Sequence, residues 1–392
     1  MNFEELKKND GEYVLNTYAR FPLAVKSGKG ATCVDYDGKK YIDFSSGIGV
    51  NSLGFCDEGY IGAVTAQLNT LQHISNLYYT EPCVTLAKTL CERSGMSKVF
   101  FCNSGAEANE GAIKAARKYS FTKYGENRNV IVSLQNSFHG RTVTTLSATG
   151  QDVFHNFFFP FTGGFVFAKA NDIEDTKAKL TSDVCAVMIE LIQGEGGVVP
   201  LTKKYVYELE KVCRDRDILL IVDEVQTGIG RTGELFAYQG YGIKPDIVTS
   251  AKGLGGGLPL GAVLFSKTTE EALSFGDHGS TFGGNPVSCA GANAVMERLD
   301  GCFLAEVKRK GAYLKEKLLA MPHVTDVTGM GMMLGVSLDE GAAAKEVVKS
   351  AIEKGVILLT AKAKVRLLPS LTISYEEMDA GLSALEETLK SF

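Results

Sequence analysis

The middle of the chain alternates short apolar runs with segments of helical periodicity. Six apolar runs have the length of strands, at 98–102, 129–134, 164–168, 183–190, 218–223 and 246–251. Between runs, residues 104–119 and 202–215 have the spacing of helices. Strands that are apolar on both faces and alternate with helices are typical of a mostly parallel sheet that is covered on both sides. The pattern therefore predicts an α/β fold, and such sheets bind ligands at the carboxyl ends of their strands.

The pattern changes after about residue 285. A long helical stretch over 286–321 precedes short strands near 324–338, a helix around 342–354, strands near 356–359 and 365–368, and a last helix that starts near Glu376. A chain of 392 residues is also long for a single hydrophobic core. We predict an N-terminal segment (1–45) that joins the small domain, a large domain (46–285) and a C-terminal small α+β domain (286–392).

Composition narrows the possible partners and the cellular location. The net charge of −5 argues against nucleic acid or an anionic membrane as the main partner. The nine cysteines form no CxxC pair and lie mostly in apolar stretches, which favours reduced buried thiols over disulfides or a metal site. The N-terminus lacks the apolar core of a signal peptide, and the apolar runs are too short to span a bilayer. We therefore expect a cytoplasmic protein without a metal.

Three polar features follow predicted strands. Asp223 ends one apolar run, Lys252 follows another and precedes a glycine run, and Ser104–Ala106 opens a helix directly after a third strand. Each feature alone is weak. An acid at a strand end is often a helix cap or a metal ligand, a lysine before glycines is usually a loop residue, and many helix starts bind nothing.

Together, the three features supply what pyridoxal 5′-phosphate (PLP) requires. The aspartate would keep the pyridine nitrogen protonated, so that the ring can accept electrons. The start of the helix suits the phosphate, because its backbone N–H groups and dipole attract anions. The lysine would bind the cofactor aldehyde and later move a proton as a general acid and base. These residues therefore predict a PLP enzyme.

The chain resembles the class III aminotransferases of PLP fold type I from near residue 16 to the C-terminus. The resemblance rests on seven motifs in the same order, at 104–110, 138–142, 193–197, 223–228, 231–233, 251–257 and 279–286. It implies a large PLP-binding domain with a mostly parallel sheet, plus a smaller α+β domain.

The resemblance also implies which residues hold the cofactor. Lys252 would be the Schiff-base lysine and Asp223 the partner of the pyridine nitrogen. Ser104, Gly105 and Ala106 would form the phosphate site. The ring would lie between Val225 and Phe138, with Gln226 near the phenolic oxygen, although plain core packing stays an alternative for Val225 and Phe138. Ser280 and Thr281 would reach the site from the neighbouring subunit, which implies a homodimer with active sites at the subunit interface.

Substrate choice depends on two arginines. Glutamate presents one carboxylate close to the reacting carbon and one further away, whereas an ω-amino donor presents only the remote one. A site that serves both substrates needs a permanent distal cation and a near cation that can be neutralised. The resemblance implies Arg141 as the distal cation, Arg366 as the near one, and Glu195 as the carboxylate that neutralises Arg366, since an unpaired buried guanidinium is costly. Surface salt bridges remain the alternative.

Within the family, the resemblance is strongest to members that act on N-acetylornithine. It implies transfer of the δ-amino group of N-acetyl-L-ornithine to 2-oxoglutarate, giving N-acetyl-L-glutamate 5-semialdehyde and L-glutamate, in arginine biosynthesis. His139 favours this reading, because ornithine-specific members tend to have an aromatic residue there. Tyr18 is a candidate match to a tyrosine that reads free α-amino acids in those members.

Other activities therefore stay open. Within the family, the alternatives are transamination of ornithine, 4-aminobutyrate or succinyl-diaminopimelate. A PLP-dependent aminomutase needs no arginine that can be neutralised, so the pairing of Glu195 with Arg366 argues against it. A non-catalytic scaffold is expected to lose the aspartate or the lysine, and this chain has both Asp223 and Lys252.

Overall fold

The computed structural model of the protein describes residues 2–392. Its helices are α1 (Phe3–Tyr13), α2 (Ser46–Gly49), α3 (Glu58–Thr70), α4 (Glu81–Ser94), α5 (Gly105–Tyr124), α6 (Val143–Ala148), α7 (Ile173–Lys179), α8 (Lys203–Asp215), α9 (Ala237–Tyr241), α10 (Pro286–Arg298), α11 (Gly301–Leu319), α12 (Ala344–Glu353) and α13 (Tyr375–Leu389).

The strands complete the list of elements. They are β1 (Val25–Lys29), β2 (Thr32–Asp35), β3 (Lys40–Asp43), β4 (Lys98–Cys102), β5 (Val130–Leu134), β6 (Phe165–Ala168), β7 (Val184–Ile189), β8 (Ile192–Gln193), β9 (Val199–Pro200), β10 (Leu219–Asp223), β11 (Ile247–Ser250), β12 (Gly261–Phe265), β13 (Val324–Met330), β14 (Met333–Leu338), β15 (Val356–Ile357), β16 (Leu359–Ala361) and β17 (Lys364–Leu367).

The central sheet has seven strands in the order β4-β12-β11-β10-β7-β5-β6. Neighbouring strands from β11 to β6 pair in parallel, whereas β12 pairs antiparallel with both β11 and β4. Every residue of β7, β10, β11 and β12 is buried. The prediction of a mostly parallel α/β sheet is confirmed, and all six predicted strands are present.

The sheet is covered on both faces, as continuous apolar strands require. On one face, the small buried side chains of α5, among them Ala108, Ala112 and Ala115, pack against Ile221 and Val263 of the sheet. On the other face, α8 contributes Val206 and Leu209 to the larger core cluster. Alanines on α5 let the helix approach the sheet closely, which fixes where its N-terminus lies relative to the strand ends.

The N-terminal and C-terminal parts of the chain meet in one small sheet. Its order is β1-β2-β3-β15, and β3 pairs in parallel with β15 through Ile42 and Val356. A further sheet has the order β13-β14-β17-β16 and carries Arg366 on β17. The division into domains at residues 45 and 285 stays a prediction.

Three details of the predicted elements were wrong. The predicted helix over 286–321 is two helices, because Asp300 interrupts it and caps α11 by accepting from the backbone N–H of Phe303. The predicted strand near 356–359 is divided between β15 and β16, which belong to different sheets. Strand β12 was not predicted from the sequence; its apolar residues come directly after a glycine-rich loop.

Among residues 2–392, none of the helices has the length and apolar character needed to cross a bilayer. The same residues contain no group of three or more His, Cys, Asp or Glu side chains arranged to hold a metal ion.

Candidate active site

A cavity of about 480 Å³ opens where the central strands end. Its volume lies in the range of small-molecule sites. The structure brings ten of the predicted site residues to its wall: Ser104, Gly105, Ala106, Phe138, Arg141, Glu195, Asp223, Val225, Gln226 and Lys252. Residues from separate parts of the chain therefore meet at one edge of the sheet, as the positions of the strand ends predicted.

Asp223 is the last residue of β10 and is almost fully buried. Its Oδ2 accepts hydrogen bonds from Asn109 Nδ2 and His139 Nδ1, each at 2.8 Å, and its Oδ1 accepts from the backbone N–H of Val225 at 3.0 Å. A carboxylate has about four acceptor positions, so these three bonds leave roughly one for a donor in the cavity.

Asn109 and His139 were not predicted as site residues. Asn109 lies on α5 and donates to Asp223 and to the carbonyl oxygen of His139, while its own Oδ1 accepts from Thr249 Oγ1 at 2.7 Å. His139 Nε2 is buried and has no hydrogen-bond partner among the described residues. Nothing in the sequence indicated the Asn109 contact, since it joins residues 114 positions apart through tertiary packing.

Lys252 follows β11 and lines the cavity. Its φ of +44° is unusual for a residue with a side chain, and such backbone strain tends to occur at functional sites. Burial lowers the pKa of Lys252 below 10.5; Glu195 opposes this effect and the charge of Arg366 adds to it. A lower pKa increases the fraction of the neutral amine, which is the nucleophilic form.

The start of α5 provides backbone donors at the cavity wall. Ser104 caps the helix by accepting from the N–H of Glu107, and the carboxylate of Glu107 accepts from the N–H of Asn103. Glu107 Oε2 also accepts from the Ser104 hydroxyl at 3.2 Å, so the side chain of Glu107 binds both Ser104 and Asn103. Gly105 and Ala106 follow this cap and line the cavity, where the first N–H groups of a helix have no acceptor within the helix.

An aromatic pair surrounds the guanidinium of Arg141. The guanidinium carbon lies 5.7 Å from the ring centre of Phe138 and 4.6 Å from that of Phe154. The two rings meet edge to face at 5.8 Å. Arg141 is otherwise exposed, so these cation–π contacts hold the charge near the cavity.

Glu195 and Arg366 form an ion pair at the edge of the cavity. Arg366 Nη1 donates to Glu195 Oε1 at 2.6 Å, and Nη2 donates to Oε2 at 3.3 Å. Nη1 also lies 3.3 Å from Gln226 Oε1. Burial opposes the ionisation of Glu195, but the Arg366 charge and hydrogen bonds outweigh it and lower the pKa of that carboxyl. Arg366 is almost completely buried, so it depends on Glu195 for its counter-charge.

Four predicted residues are not part of the cavity wall. Arg366 is one of them and lies behind Glu195, its ion-pair partner. The other three are Tyr18, Ser280 and Thr281. Tyr18 and Thr281 are exposed, and Ser280 accepts a hydrogen bond from Asn103 Nδ2 at 3.0 Å within its own chain. Because Asn103 lines the cavity, Ser280 lies one side chain behind it. Any role of these residues at a neighbouring subunit's site stays a prediction.

The residues present fit PLP. Asp223 keeps an acceptor position for a protonated ring nitrogen, and Lys252 supplies an amine whose pKa is lowered. The start of α5 supplies N–H donors for a phosphate. Val225 and Phe138 both line the cavity, where apolar side chains are needed on the faces of a ring.

Comparison with known proteins decides the family. The sequence model of the family described as "Aminotransferase class-III" matches residues 13–389. The chain belongs to the class-III aminotransferases. The predicted resemblance, the predicted PLP fold type I and the predicted PLP cofactor are therefore confirmed. As an aminotransferase of this class, the chain acts on small molecules.

Solved and curated relatives agree with this membership. The chain is 54% identical over 390 residues to the acetylornithine aminotransferase of Haemophilus ducreyi, covering 99% of both proteins. A crystal structure of N-acetylornithine aminotransferase from Stenotrophomonas maltophilia matches with a TM-score of 0.84 at 34% identity, over 98% of each chain. A Toxoplasma gondii ornithine aminotransferase with PLP at partial occupancy matches with a TM-score of 0.94 at 31% identity, over 99% of this chain and 94% of that one.

Proposed function

We propose that this aminotransferase moves the δ-amino group of N-acetyl-L-ornithine to 2-oxoglutarate, giving N-acetyl-L-glutamate 5-semialdehyde and L-glutamate. The pairing of Arg366 with Glu195 beside the cavity carries the proposal, because it is a near cation that a carboxylate of the same chain can neutralise. The 54% identity to an acetylornithine aminotransferase supports the choice of donor. The pathway that this reaction serves is arginine biosynthesis.

PLP, when bound, acts as an electron sink that lets an amino group be moved between carbon skeletons. Lys252 would bind the cofactor and then take up and return a proton at Nζ, which burial favours by lowering its pKa. Asp223 would hold the ring nitrogen protonated by a charge-assisted hydrogen bond. Asn109 and His139 orient Asp223, since both donate to the same oxygen.

Different charged residues would bind different parts of the two substrates. Arg141 would bind the carboxylate that lies far from the reacting carbon, in the donor and in 2-oxoglutarate. With the ω-amino donor, Glu195 would stay paired with Arg366 and remove a cation that has no substrate partner. With glutamate or 2-oxoglutarate, Arg366 would bind the near carboxylate in place of Glu195.

Ornithine is the second candidate donor. It is favoured by the TM-score of 0.94 to an ornithine aminotransferase, although the identity to that protein is 31%. Tyr18, the residue proposed to read a free α-amino group, is 72% exposed and does not line the cavity of its own chain. The 54% identity to an acetylornithine aminotransferase favours the acylated donor over ornithine.

A comparison of donors tests the proposal. We expect kcat/KM with N-acetylornithine to exceed that with ornithine or 4-aminobutyrate by at least an order of magnitude, each with 2-oxoglutarate, because a site built for one polar group rejects an analogue that lacks it. Succinyl-diaminopimelate is included as a second acylated donor. A higher kcat/KM with free ornithine than with N-acetylornithine would reject the acetylated substrate and leave the family membership intact.

Two further features complete the proposal. We propose a homodimer in which Ser280 and Thr281 serve the site of the neighbouring subunit, since Thr281 is exposed and does not line the cavity of its own chain. We also propose a cytoplasmic location, because all nine cysteines are free thiols, as is usual in a reducing compartment.

A further inference from the structure

Glu190 is a buried carboxylate that the proposed function does not use. It follows β7, is 6% exposed and lines the cavity. Glutamate is rarely buried unless its charge is paired. Among the described residues, two backbone N–H groups donate to its carboxylate, and no cationic side chain does.

The two N–H groups belong to different loops. Phe138 N donates to Oε1 at 2.8 Å, and Gly194 N donates to Oε2 at 3.2 Å. The first loop follows β5 and carries Phe138 to the cavity. The second loop follows β8 and carries Glu195, the partner of Arg366. The two carboxylate oxygens of Glu190 therefore accept hydrogen bonds from two different loops.

A second contact between the same loops supports this arrangement. Gln193 Nε2 donates to the carbonyl oxygen of Gln135 at 2.8 Å, on the side of β5 from which the first loop starts. The two loops thus touch each other in addition to sharing Glu190. The shared carboxylate is the contact closest to the cavity, since Glu190 lines the cavity and neither Gln193 nor Gln135 does.

We propose that Glu190 is a positioning residue for transamination, and that its carboxylate fixes the loop of Phe138 relative to the loop of Glu195. The position of Phe138 relative to the Glu195–Arg366 pair would then be fixed. This inference rests on the proposed function, because it assigns Glu190 a role toward the pair that selects between the two substrates.

The bridge requires the ionised form of Glu190. A carboxylate offers an acceptor to both N–H groups, whereas a protonated carboxyl or an amide offers one good acceptor and a donor. Burial raises the pKa of Glu190 to about 7; His139 opposes this effect and Asp223 adds to it. Lys252 is the third charged group within reach of Glu190. The bridge is therefore expected to be complete above about pH 7 and incomplete below it.

Hydrogen exchange measures the bridge directly. We would follow amide exchange by mass spectrometry in peptides that cover 136–140 and 192–197 of the holoenzyme, since protection reports local opening. In Glu190→Gln the amide keeps one good acceptor, so protection should fall roughly tenfold or more in at least one of the two peptides, which corresponds to the loss of a hydrogen bond to a charged acceptor. In the wild type, protection corrected for intrinsic exchange should rise between pH 6 and pH 8, and in Glu190→Gln it should not.

Glu224→Gln is the matched control. Glu224 is also fully buried, its pKa is also raised to about 7, and it also lies near Asp223, but it bonds Thr227 and the N–H of Tyr238 instead of the two loops. Its substitution should leave both peptides protected and leave their pH dependence unchanged. Unchanged protection in both peptides of Glu190→Gln, or an equal fall in both variants, would overturn the bridge. The wild-type pH series alone tests the proposal if Glu190→Gln does not fold.

Single-turnover half-reactions give the catalytic readout. With the Glu195 loop released, the half-reaction with the ω-amino donor should slow more than the half-reaction with glutamate, because Glu195 must cover Arg366 only for the donor. Equal slowing of both half-reactions contradicts the positioning role. Turnover of another donor in place of N-acetylornithine contradicts the proposed function, while a joint loss of protection in the two loops would still support the bridge.

Discussion

In the proposed reaction, Arg366 and Glu195 would decide between two kinds of substrate. Arg366 is buried and forms two hydrogen bonds with Glu195, so either a substrate carboxylate or Glu195 has to balance its charge at any time. A fixed arginine alone would leave the ω-amino donor facing a buried unpaired cation. Under the proposed function, the pair would allow one cavity to accept molecules with and without a near carboxylate.

Arg366→Ala is expected to separate the two half-reactions. Hydrogen bonds to charged groups contribute about 1.5–3 kcal/mol, so the glutamate half-reaction should lose roughly 10- to 100-fold in kcat/KM. The half-reaction with N-acetylornithine should change much less, because Arg366 is neutralised in it. Rapid mixing with each substrate measures both rates from the cofactor absorbance.

Lys364→Ala controls for the loss of a cation on β17. Lys364 lies on the same strand and donates to Thr328 Oγ1 at 2.8 Å, outside the cavity wall. It should leave the ratio of the two half-reactions unchanged. Equal losses in both half-reactions of Arg366→Ala would count against a neutralised arginine.

Glu224 predicts how stability depends on pH. Burial raises its pKa from 4.5 to about 7, against hydrogen bonds from Thr227 and Tyr238. The folded protein favours the protonated form of Glu224. The contribution of Glu224 to the free energy of unfolding is therefore present at low pH and is lost as the pH rises from about 4.5 to about 7. Glu224→Gln cannot ionise, so its free energy of unfolding relative to wild type should improve by up to roughly 3 kcal/mol between pH 4.5 and pH 8.

Urea unfolding at a series of pH values measures this difference. The comparison uses the change with pH and not the absolute value, since the amide also replaces one acceptor oxygen and lowers stability at every pH. Thr176→Val changes another fully buried polar side chain, whose partner Tyr205 has a pKa of about 12 and stays neutral between pH 4.5 and pH 8, so it should give a difference that does not vary with pH. A Glu224→Gln difference that stays constant from pH 4.5 to pH 8 would show that Glu224 ionises normally.

The positions of polar residues at strand ends were predictable from the sequence. Contacts that depend on tertiary packing were not. Asp223 and Lys252 interrupt apolar runs, so the pattern itself marks them. Asn109 looks like any polar residue of α5, and only the fold brings it to Asp223. Glu190 ends the apolar run at 183–190 as Asp223 ends the run at 218–223, and that signal could have identified it as a further candidate.

At the scale of elements, we expect the N-terminus of α5 to control how well the cofactor fits. Gly105 is its first residue, and a Cβ at this position would lie 2.7 Å from Val225 Cγ1. Real Cβ atoms do not approach so closely, so either α5 or Val225 has to shift. Both residues line the cavity, and glycine at this position therefore lets the helix start and the residue after β10 meet.

Gly105→Ala is expected to weaken cofactor binding with a small effect on the fold. Overpacking typically costs about 1–3 kcal/mol, which corresponds to a PLP Kd that is roughly 5- to 150-fold higher. Fluorescence titration of the apoenzyme with PLP measures this Kd.

Gly62→Ala on α3 is the control, since nothing lies within 4 Å of its added Cβ. It should leave the Kd unchanged and stabilise the protein by about 1 kcal/mol through helix propensity. An unchanged Kd in Gly105→Ala would mean that α5 tolerates the shift.

The same scale shows where sequence patterns stop being informative. Apolar strands and the capped start of α5 were predicted to within a few residues, because their signals are local. The antiparallel strand β12 was missed, since the glycine-rich loop before it reads as irregular structure and local patterns do not encode strand direction. The Asp300–Gly301 pair did mark the break between α10 and α11, as a cap and a turn residue, and could have been used.

At the scale of the whole molecule, one surface is suited to a second subunit. We define the apolar patch as Leu77, Tyr78, Tyr79 and Phe282, which are 86%, 64%, 98% and 61% exposed. The amide of Asn76 joins its two segments by donating to the carbonyl oxygens of Ser280 and Gly283 at 2.9 and 2.8 Å. Exposed contiguous apolar side chains usually mark an interaction surface.

Tyr79→Arg is expected to separate the proposed dimer. A symmetric interface contains the patch twice, so each dimer would bury two added charges. If Tyr79 contributes as a typical hot spot, about 2 kcal/mol, the dimer Kd should rise roughly 30-fold or more. Sedimentation should then show monomers, and activity should fall with them, because Thr281 of one subunit would no longer reach the site of the other.

Tyr207→Arg on α8, where the tyrosine is 65% exposed, adds the same charge outside the patch and should remain dimeric and active. A wild-type monomer with full activity, or a Tyr79→Arg monomer with full activity, would show that each chain completes its own site.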